Sequence, residues 1–157
     1  LFLFIYFFKN IIFNDSDTNI LLEIGKIILY LLIIDFLFYW YHRTVHRTKI
    51  LKKNFHDLHH EYYSIPSDSL YISVCELFTT ITLIFVPSLF LNIRLETFII
   101  ILSLYYIHQL YIHSESTLDI SILISSKFHE DHHKIGGGNY SVVFPFLDSL
   151  LNTQCKT

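Results

Sequence analysis

All ten histidines of this chain fall into four groups, an arrangement that random placement would almost never produce. His42 and His46 stand four apart, and His56, His59 and His60 follow as H-x-x-H-H. His108 and His113 make a third group, and His129, His132 and His133 repeat the H-x-x-H-H pattern. In a helix, positions i, i+3 and i+4 share a face, so each group can turn its imidazoles toward one place. Neutral imidazole binds Zn, Fe, Cu and Ni, whereas Ca and Mg ask for oxygen. Ten imidazoles exceed what one ion takes and suit two, with positions left for water or O2. A single histidine in an apolar helix is ordinarily a satisfied core residue, but the repeated pattern beside two further pairs argues against that reading for the set.

His108 and His113 fit least well, because a five-residue step turns ~140° around an ideal helix. A π-bulge, a helix end between them, or a His113 that reaches in from a loop would each reconcile the pair. The Glu-x-x-His of soluble di-iron bundles does not occur. Asp57, Glu130 and Asp131 are instead expected to orient imidazole N–H groups. Asp35 lies seven residues before His42, on the same helix face but ~10 Å away along the axis. It either meets a group from another helix, such as His113 or a tyrosine, or snorkels to water. Cys75 and Cys155 lack C-x-x-C spacing, which disfavours a disulfide framework and a thiolate metal site.

The elements that must carry these residues are apolar helices. With 52% hydrophobic and 17% aromatic residues the chain is too apolar for an ordinary soluble domain, and four Gly and three Pro leave no long flexible linker. The expectation is one all-α domain over residues 1–157, an integral membrane helical bundle with a cytosolic histidine-rich helical cap. Residues 1–13 are apolar but too short to span, and with no Met in the chain they read as the end of a helix that begins upstream. A signal peptide is not visible. The polar turn of residues 14–19 offers N-cap residues for a helix starting near residue 20.

Residues 20–41 are long enough to cross a bilayer, with Glu23 and Lys26 near the interface. Residues 70–91 and 95–112 provide two more crossings, joined by so short a turn that they form an antiparallel hairpin. One crossing then precedes His42 and two more precede His108, so all four histidine groups emerge on one side. Arg43, Arg47, Lys49, Lys52, Lys53, Lys127, Lys134 and Lys156 mark that side as cytosolic. Their apolar flanks favour a membrane over nucleic acid as the partner of this basic surface. Gly136, Gly137 and Gly138 allow a sharp turn directly after the last ligands, and residues 114–157 are expected to cap the site.

Read together, YWYHRTVH, FHDLHH, QLYIHSE and FHEDHHKIGGGNYS resemble the fatty acid hydroxylase and sterol desaturase superfamily of membrane oxygenases, over residues 35–153. The resemblance implies a non-haem di-iron centre held by the ten histidines, O2 as oxidant, and electrons from an external donor such as cytochrome b5 or a reductase. Zn could stand in for Fe in a purified sample. It also implies a lipid substrate (sterol, fatty acyl or related), hydroxylated or desaturated, and in eukaryotes a place in the endoplasmic reticulum. Where the family carries N-Y-G, W-D and G-T, this chain has Asn139-Tyr140-Ser141, Leu147-Asp148 and Asn152-Thr153. Asn152 tolerates the left-handed conformation that Gly would supply. The short interval between His46 and His56 argues against the acyl-CoA desaturase type. An alternative of another class is a non-catalytic transition-metal-binding membrane protein or a degenerate family member, although a carrier would want its ligands near the midplane.

Overall fold

The computed structural model describes residues 19–62 and 65–155. The apolar run 1–13, most of the turn at 14–19, and Lys156 lie outside them. Every regular element among the described residues is helical. Helix α1 (Ile20–Arg47) starts where the Asn19 side chain accepts from the Leu21 N–H, and it stops where Thr48 turns extended. A short helical turn (Lys49–Leu51) leads into a π-turn (Lys52–His56) and two 3-10 turns, His59–Glu61 and Pro66–Leu70. Ser73 caps α2 (Val74–Phe85), and Pro87 separates it from α3 (Ser88–Leu91). Asn92, at φ 47°, makes the left-handed corner before α4 (Leu95–Ile112). Ser125 opens α5 (Ser126–Ile135), Gly136 closes it, and α6 (Phe146–Leu150) comes last.

Helices α1, α2 and α4 share one apolar core, formed by Tyr30, Ile34 and Phe38 against Ile84, Phe85, Phe98 and Ile101. Val142 and Val143 of the tail complete it, so the segment after α5 belongs to the same packed unit. Polar anchors fix the helices in register. Glu23 is buried, pairs with Lys26 at 3.0 Å and accepts from the Thr97 hydroxyl at 2.5 Å, while Lys26 donates to the Asn92 carbonyl. These two charges tie the start of α1 to the start of α4, and each neutralises the other.

Among the described residues, two segments are long and apolar enough to cross a membrane, Val74–Leu91 and Leu95–Ile112. The first begins later than residue 70, since Pro66–Leu70 is wound into a 3-10 turn. Helix α1, the expected first crossing, is not one of the two. Its buried charges serve internal packing, and its outer side carries an exposed apolar stripe at every fourth position, Ile20, Ile24, Ile28, Leu32, Phe36 and Trp40.

Candidate metal centre

Four pieces of chain meet at the end of α1: its last two turns, the turns of residues 52–61, the end of α4, and α5. They gather nine histidines into two sets. His42, His46, His56, His60 and His132 form one, and His59, His113, His129 and His133 the other, with the ligand nitrogens of each set within 4.8 Å of one another. Each H-x-x-H-H motif is divided between them. In the first motif the i and i+4 members join one set and the i+3 member the other; in the second, i and i+4 again stay together and i+3 departs, because i+3 and i+4 lie ~100° apart around a helix. The π-turn ending at His56 and the 3-10 turn beginning at His59 provide this divergence in the first motif.

Inside each set the Nε2 atoms face one another. His42 to His56 is 2.8 Å, and His46 to His60 and His60 to His132 are both 3.2 Å. In the second set His59 to His113 is 3.2 Å, and His113 to His129 and His129 to His133 are both 3.1 Å. Four of the Nδ1 atoms point outward to acceptors: His42 donates to the Tyr140 carbonyl, His132 to Gly138, His113 to Gln109 and His56 to the Glu76 carboxylate at 2.6 Å. A neutral imidazole that donates through Nδ1 has only a lone pair on Nε2. His42, whose Nδ1 faces a carbonyl, therefore presents its Nε2 lone pair to His56, and with His56 donating to the ionised Glu76 a cation between the two rings would relieve the opposed lone pairs. The donor set fits a transition metal in each group, held by Nε2 nitrogens.

Electrostatics favour the ligand form. Burial, and after it the neighbouring imidazoles, push these groups down: His46 and His133 to about 2 and His60 to about 3. Burial alone takes His42 to about 4, against the Tyr140 carbonyl that pulls it up. His56, His59, His129 and His132 are held well below the usual imidazole value by burial first and by neighbouring imidazoles second. At neutral pH the cluster is uncharged and its lone pairs are free to coordinate.

The loop after α5 holds two of these rings from behind. Gly136 takes φ 65°, as the glycine run suggested, and turns the chain back toward the site. Gly138 sits so close to the tail that a Cβ would lie 2.4 Å from the Thr153 carbonyl oxygen. Asn139 braces the same segment, donating to the Phe128 carbonyl and accepting from the Cys155 N–H. Asp148 is fully buried and accepts from the Tyr140 and Ser141 N–H groups and the Thr153 hydroxyl. Asn152 adopts the expected left-handed conformation, φ 53°.

His113 caps the end of α4, so the helix stops before it and the five-residue step from His108 needs no bulge. His108 lies a full turn earlier, beside the Tyr111 ring, and joins neither set. None of the four carboxylates expected near the imidazoles contacts one. Asp57 pairs with Lys52, Glu130 with Lys134 and Lys127, and Asp131 with Lys127, since each has a lysine nearby in sequence. Asp35 is fully buried and meets backbone, accepting from the Val142, Val143 and Phe144 N–H groups at 3.0, 2.8 and 3.4 Å. The carboxylate that does orient a ring is Glu76. Its signal was legible, a lone charge in the apolar stretch 70–91.

A largely apolar cavity of about 380 Å³ opens onto the centre between α1, α2 and α4. Leu77, Ile84, Leu102 and Tyr105 line it, together with His42, His56, His59 and His129 from both sets.

Comparison with known proteins agrees with this geometry. The fatty acid hydroxylase family matches residues 27–153. A very-long-chain aldehyde decarbonylase, GL1-11, of Oryza sativa subsp. indica is 31% identical over 83% of this chain and 53% of its own length. Methylsterol monooxygenases 2-1 and 2-2 of Arabidopsis thaliana are 30% and 32% identical, over 83% of this chain and 56% and 52% of theirs. The chain thus spans about half the length of the curated relatives it matches. No solved structure matches it significantly. With the family match covering most of the sequence and all ten histidines, the chain belongs to the fatty acid hydroxylase family.

Proposed function

We infer that this chain is one domain of a membrane-bound di-iron oxygenase that hydroxylates or desaturates a lipid with O2 and electrons from an external donor. One observation carries the reading: two convergent sets of imidazole nitrogens adjoin an apolar cavity, which His42 and His56 of one set and His59 and His129 of the other help to line. His42, His46, His56, His60 and His132 would hold one iron, and His59, His113, His129 and His133 the other. When bound, the metal supplies the redox chemistry with O2 that no side chain here can perform. The protein's part is to bind an apolar chain, aim it at the centre and exclude water. Leu77, Leu102 and Tyr105 do this by lining the cavity, while Glu76 and the Gly138 and Tyr140 carbonyls keep the rings aimed.

The membrane placement has its own support. Val74–Leu91 and Leu95–Ile112 are long and apolar enough to cross, and the outward stripe of α1 offers a third lipid-facing helix. The histidines lie at the end of this bundle that is rich in Lys and Arg, which favours the cytosolic side and, in a eukaryote, the endoplasmic reticulum. An electron donor such as cytochrome b5 would then approach from the cytosol. Gathering of the ligands at one end also speaks against a carrier.

Lipid profiling of cells with and without the full-length protein tests the activity. An O2-dependent hydroxylated or newly unsaturated lipid is expected, lost in a His59→Ala or His132→Ala variant that still inserts into membranes. Full product formation by either variant would refute the assignment.

A further inference from the structure

A second cavity, of about 490 Å³, adjoins the second histidine set, and its walls differ from those of the apolar one. One wall is a single face of α5, with Ser126, His129, Glu130 and His133 at i, i+3, i+4 and i+7; the other is the loop of residues 114–117 that follows His113. Ser126 Oγ donates to the Ser114 carbonyl, and Ser114 Oγ accepts from the Ser116 N–H, so loop and helix are tied together. Exposure falls from Glu115, Thr117 and Lys127, which face solvent, through half-buried Ser116, Glu130 and His133, to buried His129. The polar lining thus leads from the surface to two rings of the second set. None of the first set's histidines lines it.

The charges of this cavity lean negative. Glu115 and Glu130 stand against Lys127. Lys127 is shared with Asp131 and Glu130 is met by Lys134, so the carboxylate at the rim, Glu115, is left to face solvent. A divalent cation arrives from water with its hydration shell. Carboxylate and hydroxyl oxygens can replace waters of that shell, and imidazole nitrogens then bind a transition metal more firmly than oxygens do. The largely apolar cavity on the other side of His129 is a poor route, because stripping an ion into apolar surroundings is strongly unfavourable.

We propose that this cavity is the port through which a hydrated divalent transition-metal ion reaches the second set, with Glu115 drawing it in at the rim and His133 and His129 receiving it. The inference rests on the two-metal reading of the histidines and adds to it a route from water. Cobalt(II) uptake by metal-free full-length protein in phospholipid nanodiscs, followed by stopped-flow absorbance, tests it. A His42→Ala, His132→Ala background isolates the second set. A His59→Ala, His113→Ala background isolates the first and leaves the rings of the port in place. In the second-set background Thr117→Trp lays an indole across the rim and should slow uptake about tenfold or more, since entry then waits on side-chain movement. The final content should stay at one cobalt per chain. Glu115→Gln should slow uptake about tenfold at low salt and have no effect near ~1 M, where the rim charge is screened. In the first-set background neither change should alter the rate. Uptake by Thr117→Trp at its parent's rate, or an equal slowing in both backgrounds, overturns the port and leaves the metal reading standing. Should Thr117→Trp fail to bind cobalt, Glu115→Gln decides, and a parental rate at low salt overturns the port. Second-set protein that binds no cobalt at equilibrium would refute the metal reading of that set, and the port with it.

Discussion

Replacing Glu76 by Ala removes one carboxylate and leaves all ten imidazoles in place. In the wild-type chain Glu76 Oε1 lies 2.6 Å from His56 Nδ1, with both side chains buried. Its loss leaves the His56 N–H without an acceptor, at a cost of about 1–3 kcal/mol for a buried donor. It also frees the ring to rotate, and removing such an orienting group typically lowers metal affinity about 10–100-fold. That is about 1.4–2.7 kcal/mol at 1.36 kcal/mol per tenfold. The loss should fall on the set containing His56, because the second set has its own support, with His113 donating to the Gln109 carbonyl. Chelator competition on protein purified anaerobically would read two classes of metal, one weakened and one unchanged. Glu76→Gln keeps a carbonyl acceptor and should recover part of the loss. Wild-type chelator resistance in Glu76→Ala would refute the claim that this carboxylate orients a ligand.

His108 and His113 separate cleanly: His108→Ala should retain the metal of both sets, whereas His113→Ala should lose metal from the second, as metal analysis of each variant would show. Gly138→Ala forces a Cβ to 2.4 Å from the Thr153 carbonyl. It should lower thermal stability and loosen the hold on His132, to be read as a fall in Tm and a faster loss of metal. In metal-free protein the buried imidazoles have folded-state values of about 4 for His42 and 3 for His60, below the unfolded value of about 6.5. The unfolded chain binds the extra protons, so stability is intact above pH ~6.5 and falls as pH drops toward 4. A Tm that stays flat between pH 7 and 4 would contradict that burial.

The histidine clusters were legible because their spacing is helical and a ligand set needs little more than a shared face. The full ligand sets were not, since the division of the first motif also depends on a π-turn at Lys52–His56, and His113 joins the second set because α4 ends before it. Neither break leaves a Gly or Pro at that point to announce it. The acidic neighbours misled for a physical reason. Glu130 and Asp131 each have a lysine one helical turn away, and local pairing wins over a longer reach to an imidazole. Glu76 stood in plain view as the lone charge of its segment, but its partner lies twenty positions earlier, and only the fold brings them together. The backbone partners of Asp35, over a hundred residues away, carry no side-chain pattern to read.

The metal content of the full-length protein, purified without oxygen and without added metal, tests the central claim most directly. Two transition-metal ions per chain are expected, one for each histidine set. A His42→Ala, His132→Ala double variant should fall to one ion by losing the first set, and a His113→Ala, His129→Ala variant to one by losing the second. Wild-type protein that carries no transition metal, or whose content neither double variant lowers, would contradict the account.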